Sequence, residues 1–337
     1  MRALAAALPE NLVAGYRSGV ELARPLPGDD VRVVAVGMGG SAIAFDLARG
    51  TVEAESRATL SVVRSPDLPR SVDGRTEVFV ASYSGNTWES LVAYDAAGRA
   101  GARRTVVTSG GALLERAERD GVPILPLPPG LPPRSAVGQM LGGVLGLLDS
   151  SFPESLETRV ASAAEATRER IRQYARARGP AAALAKKVGH RLPFIYAEQS
   201  FVALARRWKT QVEENAKRPA VFDEVPELFH NAIVGWDAIS GRDASKYIAF
   251  LLEWSGESPP VRKSFEYLAR LLRSKGVAAA RISLDADDRL EAMVGGIALG
   301  DHVSLFLADQ GNVDPFPVDA ITRLKSAVGN PADAGPA

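Results

Sequence analysis

The sequence predicts an α/β protein of two lobes, each a mostly parallel sheet flanked by helices. Three observations predict it. The chain has 337 residues, too many for an ordinary single domain and comfortable for two of about 150. From about residue 31, short apolar β-rich runs alternate with amphipathic helical patterns, the arrangement of βαβ units. The order strand, tight turn, helix in VVAVGMGGSAIAFDLA returns in PFIYAEQSFVALARRW as a weak internal repeat.

Taken in order, MRALAAALPENLVAGY predicts a helix, because Pro9, Glu10 and Asn11 interrupt the apolar core that a signal peptide needs. VRVVAVG, TLSVV, EVFVA, RTVVT and VPILPLP predict strands, with SAIAFDLA and TWESLVAYDAAG as helices between them. A Pro-rich loop, PPGLPPRS, precedes a helix at 135–149, and the first lobe is expected over 1–150. Residues 151–188 carry Ala, Glu and Arg at helical spacing and predict a helical connector with its charges on a solvated face. The second lobe, 189–329, runs strand RLPFIYAE, helix SFVALARRWKTQVEEN, strand KYIAFLLEW, helix SFEYLARLLRSKG, strand AAARISL, helix LEAMVGGIALGD and a last helix at 317–328. A disordered tail is expected over 330–337.

Composition excludes several classes of function. Lys plus Arg and Asp plus Glu each number 40, leaving no excess positive charge to engage a nucleic-acid backbone. The absence of cysteine removes disulfides, Cys-ligated zinc and any thiol nucleophile. No apolar run approaches the ~18 residues that span a bilayer, so no membrane partner and a cytoplasmic location are expected.

Candidate chemistry begins at GMGGS, where glycines follow an apolar strand and open a helix at Ser41. Backbone N–H groups and the helix dipole can there face an anion, although such turns also occur without ligands. In ASYSGNT, Ser82, Ser84 and Thr87 cluster on the next strand-to-helix turn, where they either donate to phosphate oxygens or cap a helix. Ser109, Gly110 and Gly111 make a third turn of this kind. A dinucleotide site is disfavoured: GMGGSA departs from G-x-G-x-x-G, and no acid ends TLSVVRS to hold a ribose.

With GMGGSAIA, ASYSGNTWES, PPRSAVG and QVEENAKRPAVFDEVPELFHNAIVGW on the page, the chain resembles the bifunctional phosphoglucose/phosphomannose isomerase family from about residue 30 to the last helix. EENAK with PELFHNAIVGW is the most specific part; GGS and SYSGNT are shared by SIS (sugar isomerase) domains generally. The resemblance implies two SIS-type lobes and interconversion of glucose or mannose 6-phosphate with fructose 6-phosphate, without metal or cofactor. It implies sugar-phosphate binding by Gly40, Ser41, Ser82, Ser84 and Thr87, with Arg134 against the reacting carbons. Glu214 matches the proton-shuttling base, His230 the ring-opening histidine and Lys325 a lysine that assists it. It further implies a homodimer in which His230 reaches the neighbouring subunit's site. Phe45, Phe316 and the glycine-free turn Ala197 to Ser200 depart from the family pattern.

The residues fit that chemistry on their own terms. Aldose–ketose isomerisation opens a ring and then moves a proton between C1 and C2, a task suited to a carboxylate. Helical phase leaves Glu213 and Glu214 equivalent, since the apolar stripe Leu204, Ala205, Trp208 and Val212 is centred on neither; the match to NAK selects Glu214. His230 is one of three histidines, with His190 and His302, and no ligand pattern among them suggests a metal site. Lys325 falls within the stripe Ile321, Leu324 and Val328, where a lysine needs an anionic partner or must reach water. The alternative is a catalytically silent SIS-type sugar-phosphate sensor, which needs the hydroxyl turns but no base.

Overall fold

In a computed structural model of the chain, residues 1–26, 28 and 30–328 are described, Lys325 and Val328 by backbone only. The tail expected over 330–337 lies outside the described residues. Helices α1 (Arg2–Ala6) and α2 (Leu8–Leu22) open the chain. There follow β1 (Val31–Val36), α3 (Gly39–Glu55), β2 (Ala58–Val63), β3 (Thr76–Ser82), α4 (Trp88–Arg99), β4 (Arg103–Thr108), α5 (Gly111–Arg119), β5 (Ile124–Pro126) and α6 (Val137–Leu147). Helices α7 (Glu157–Tyr174) and α8 (Pro180–Val188) precede β6 (Leu192–Glu198), α9 (Val202–Ala216), β7 (Val221–Val225), α10 (Ala232–Ala238) and α11 (Gly241–Ala244). The chain continues through β8 (Tyr247–Trp254), α12 (Pro259–Ser274), β9 (Ala278–Leu284), α13 (Arg289–Gln310) and α14 (Asp319–Val328).

Two compact units result: Glu10–Val160 with the segment from Pro317, and Met1–Pro9 with Ala161–Phe316. The first holds a parallel sheet of order β2-β1-β3-β4-β5 and the second a parallel sheet of order β7-β6-β8-β9. The orders match strand for strand until the first sheet adds β5, so the repeat seen in the sequence is a repeat of topology. In each sheet the first strand is central, because its second partner joins on the opposite side from its third. That reversal is where open α/β sheets leave a crevice at the carboxyl ends of their strands.

Burial explains the elements. β3 is buried along its whole length and packs Val78 and Val80 against Leu91, Tyr94 and Leu113 of α4 and α5. In the other unit Leu251 and Ala249 of β8 pack against Phe265, Leu268 and Leu272 of α12. Helices α2 and α6 approach closely through Gly15, Gly19, Gly142 and Gly146, where a Cβ would strike the facing backbone.

The expectation of no membrane-length segment needs correcting at α13. Its 22 residues pass that test by length and mean hydropathy, with 89 % of the apolar window buried inside the fold. Arg207, Gln211 and the Trp208 indole bond to it, which makes it the core helix of the second unit.

Candidate functional site

Three strand-to-helix turns at the carboxyl ends of β1, β3 and β4 lie together in the first unit. After β1, Gly39 takes a left-handed φ of 50° and lets α3 begin at once. A Cβ on Gly40 would lie 3.1 Å from the backbone nitrogen of Arg134, so the glycine admits the 3-10 turn Pro133–Ala136 against the start of α3. After β3, Gly85 (φ 70°) fits against the backbone of Gly110 with no room for a side chain.

Tyr83, which sequence reasoning passed over, fastens these turns together. Its N–H donates to Ser41 Oγ at 3.2 Å, and its carbonyl accepts from Ser109 N at 3.1 Å and Ser109 Oγ at 2.6 Å. Its hydroxyl donates to the Pro128 carbonyl at 2.6 Å and accepts from Leu131 N at 2.7 Å, pinning the Pro-rich loop that leads to Arg134. A tyrosine lodged between two serines was the available signal.

The hydroxyls are arranged to donate. Ser82 Oγ donates to Thr87 Oγ1 at 2.9 Å and accepts from Thr87 N at 3.3 Å, which leaves the Thr87 proton to point elsewhere. Ser41 and Ser84 each accept a backbone N–H, from Tyr83 and Asn86, and keep their own protons to give. Asn86 does cap a helix, but the neighbouring one: its Oδ1 accepts from Ala112 N of α5 at 3.0 Å. Among the described residues, no side chain caps the first turns of α3 and α4. Ser41 N–H bonds the Met38 carbonyl at 2.9 Å, and the positive dipole ends of the two helices remain for an anion. Arg134 is 2 % exposed beside this turn.

Gly40, Ser41, Ser82, Ser84, Thr87 and Arg134 are thus gathered in one unit; Glu214 and His230 belong to the other. Glu214 is half-buried in the last turn of α9, which ends where Lys217 turns left-handed (φ 56°) and its ammonium donates to the Glu214 carbonyl. Its rival Glu213 is engaged by Lys209 at 2.7 Å, one helical turn back. His230 is exposed at the end of the 3-10 turn Glu227–His230, which buried Leu228 and the helix-capping Asn231 hold in place. Lys325 lies on α14, its side chain outside the described residues; Ile321 and Leu324 of its stripe are 44 % and 62 % exposed.

The matching turns of the second sheet carry carboxylates instead. Glu198 at the end of β6 accepts from Ser200 N at 2.8 Å. Glu257, beyond β8, accepts from Trp254 N at 3.0 Å, and burial pushes its carboxyl up to about 7, with Glu198 and Glu253 adding to the rise.

Two parallel sheets of this order, in a chain with an SIS-domain match, define the class as SIS proteins. The tagatose-6-phosphate ketose/aldose isomerase of Escherichia coli superposes with a TM-score of 0.67 at 15 % identity, over 93 % of this chain and 94 % of that one. Residues 177–328 match the bacterial phospho-glucose isomerase C-terminal SIS domain. More particularly, the chain belongs to the bifunctional phosphoglucose/phosphomannose isomerase family. It is 35 % identical to that enzyme of Caldicellulosiruptor bescii over 95 % of this chain and 96 % of the relative, and 31 % identical to that of Aquifex aeolicus over 87 % and 89 %.

Proposed function

We propose that the chain interconverts glucose 6-phosphate, mannose 6-phosphate or both with fructose 6-phosphate by acid/base proton transfer through an enediolate, without metal. The observation that carries this reading is the donor-lined cradle of the first unit in a chain of this family: two uncapped helix starts and three hydroxyl-bearing turns, bound together by Tyr83 beside a buried arginine.

In this reading the N-terminal lobe, 1–150, binds the phosphate through Gly40, Ser41, Ser84 and Thr87, with Ser82 serving the site by holding Thr87. Arg134 steadies the charge that develops on the enediolate oxygens. The C-terminal lobe, 189–329, supplies Glu214, which moves the proton between C1 and C2. His230, delivered from a neighbouring subunit of a homodimer, opens the ring with help from Lys325. A role in cytoplasmic glycolysis and gluconeogenesis follows from the substrates.

Replacing Glu214 by Gln should abolish exchange of the C2 proton with solvent while sugar-phosphate binding stays nearly intact, because only proton transfer is lost. Glu213→Gln should change little. The reverse pattern would identify Glu213 as the base. Chelators should leave turnover untouched, and a loss restored by zinc would refute the metal-free route.

A further inference from the structure

Behind Glu214, α9 is joined to α13 by a run of buried polar groups that the proposed reaction does not use. Arg207, Gln211 and Asn215 follow one another at four-residue spacing, so they share one face of α9, and all three are buried. Arg207 Nη2 donates to Asp301 Oδ2 at 2.7 Å and Gln211 Nε2 to Asp301 Oδ1 at 2.9 Å, so both oxygens of one buried carboxylate are held by the same helix. One turn on, Asn215 Nδ2 donates to Ser304 Oγ at 2.9 Å, and that hydroxyl donates to the Asp301 carbonyl at 2.7 Å.

An apolar seam would fill this space without the desolvation that such groups incur. What directional bonds add is register: they fix the rotation and axial position of a helix that apolar contacts alone let slide. The need is greatest at the end of α9, since last turns fray and Glu214 lies in this one. Asn215, its neighbour in sequence, makes the final rung.

We infer that Asn215 and Ser304 are positioning residues that hold the last turn of α9 so that the Glu214 carboxylate stays on the reacting carbons. This rests on the assignment of Glu214 as the base. Misplacing a reacting group by about an ångström costs up to ~10²-fold in rate. Asn215→Ala and Ser304→Ala should therefore each lower kcat for fructose 6-phosphate by about tenfold or more. KM should hold within about twofold, because the groups assigned to the phosphate lie in the other unit. Ser304→Ala removes only a hydroxyl and keeps the chain foldable, which circular dichroism and the thermal midpoint check.

The same change made in a Glu214→Gln chain should lower the residual turnover no further, since its effect passes through Glu214. Full kcat in Ser304→Ala, beside a Glu214→Gln chain reduced to a small residual turnover, overturns the inference and spares the assignment. An equal fold-loss in both backgrounds overturns it as well, by showing a general structural effect. An active Glu214→Gln chain removes the base assignment and the inference with it.

Discussion

Serine and threonine serve two roles at the first unit's turns, and the hydrogen bonds separate them. Ser82 spends its proton on Thr87 and so works as a brace. Thr87 and Ser84 keep theirs, and on the proposed assignment these two join Ser41 in donating to the phosphate. Replacing both with alanine should raise KM for fructose 6-phosphate well over tenfold, at about 1.5–3 kcal/mol for each bond to a charged group; an unchanged KM would remove them from the site. At Glu257 the sign of a pH effect can be worked out. In the fold its carboxyl titrates at about 7 against an ordinary 4.5, so between these values the folded chain holds a proton that the unfolded chain has released. Stability therefore falls as pH rises through that window and levels off above it, by at most about 3 kcal/mol. Denaturant unfolding at about pH 5 and pH 7.5 should show this fall in wild type and lose it in Glu257→Gln; an equal fall in both chains would assign it to another group. The sequence exposed the hydroxyls and glycines of the cradle because they sit in short contiguous motifs. Tyr83 stayed hidden because its importance lies in partners such as Ser109, Pro128 and Leu131, which are remote in the chain.

Among the elements, those with an unbroken apolar period were legible, and those whose polar groups find distant partners were not. VFDEV did not suggest a strand, with Asp223 and Glu224 side by side, yet it pairs along β6 as edge strand β7. LEAMVGGIALGD read as a helix stopping at Asp301, whereas α13 continues to Gln310. Asp301 and His302 are polar groups that looked like an end. Asp301 is bonded by Arg207 and Gln211, and His302 Nδ1 by the Ala298 carbonyl, so both stay inside. The glycines of α13 have a steric cause. A Cβ on Gly300 would run into the Trp208 indole, and one on Gly296 would sit about as close to Leu204, so both are needed for α9 to lie against α13. Gly300→Ala should destabilise the protein by roughly 1–3 kcal/mol through overpacking, despite alanine's better helix propensity. A midpoint of denaturation at or above that of wild type would show that the indole can move aside.

For the whole molecule, the topological repeat was legible as strand, turn and helix recurring, whereas a homodimer was implied by the resemblance alone. The placement of His230 at an exposed turn supports the proposal that it serves a partner's site. Mixing Glu214→Gln and His230→Ala chains tests it. With shared sites in a two-fold dimer, each mixed dimer regains one intact site, and about half the dimers are mixed. Roughly a quarter of wild-type activity should return; a mixture that stays inactive would show that both residues come from one chain. The doubled layout also separates two demands that conflict in a single copy. A pocket that welcomes a dianion must be free of negative charge, whereas a proton carrier must be negative. With two copies of one topology, the first can keep its open glycine turn while the second carries the carboxyls of Glu198 and Glu257 at the matching turns. On the proposed assignment each lobe thus keeps its own task, and the sugar phosphate has one doorway built to admit it.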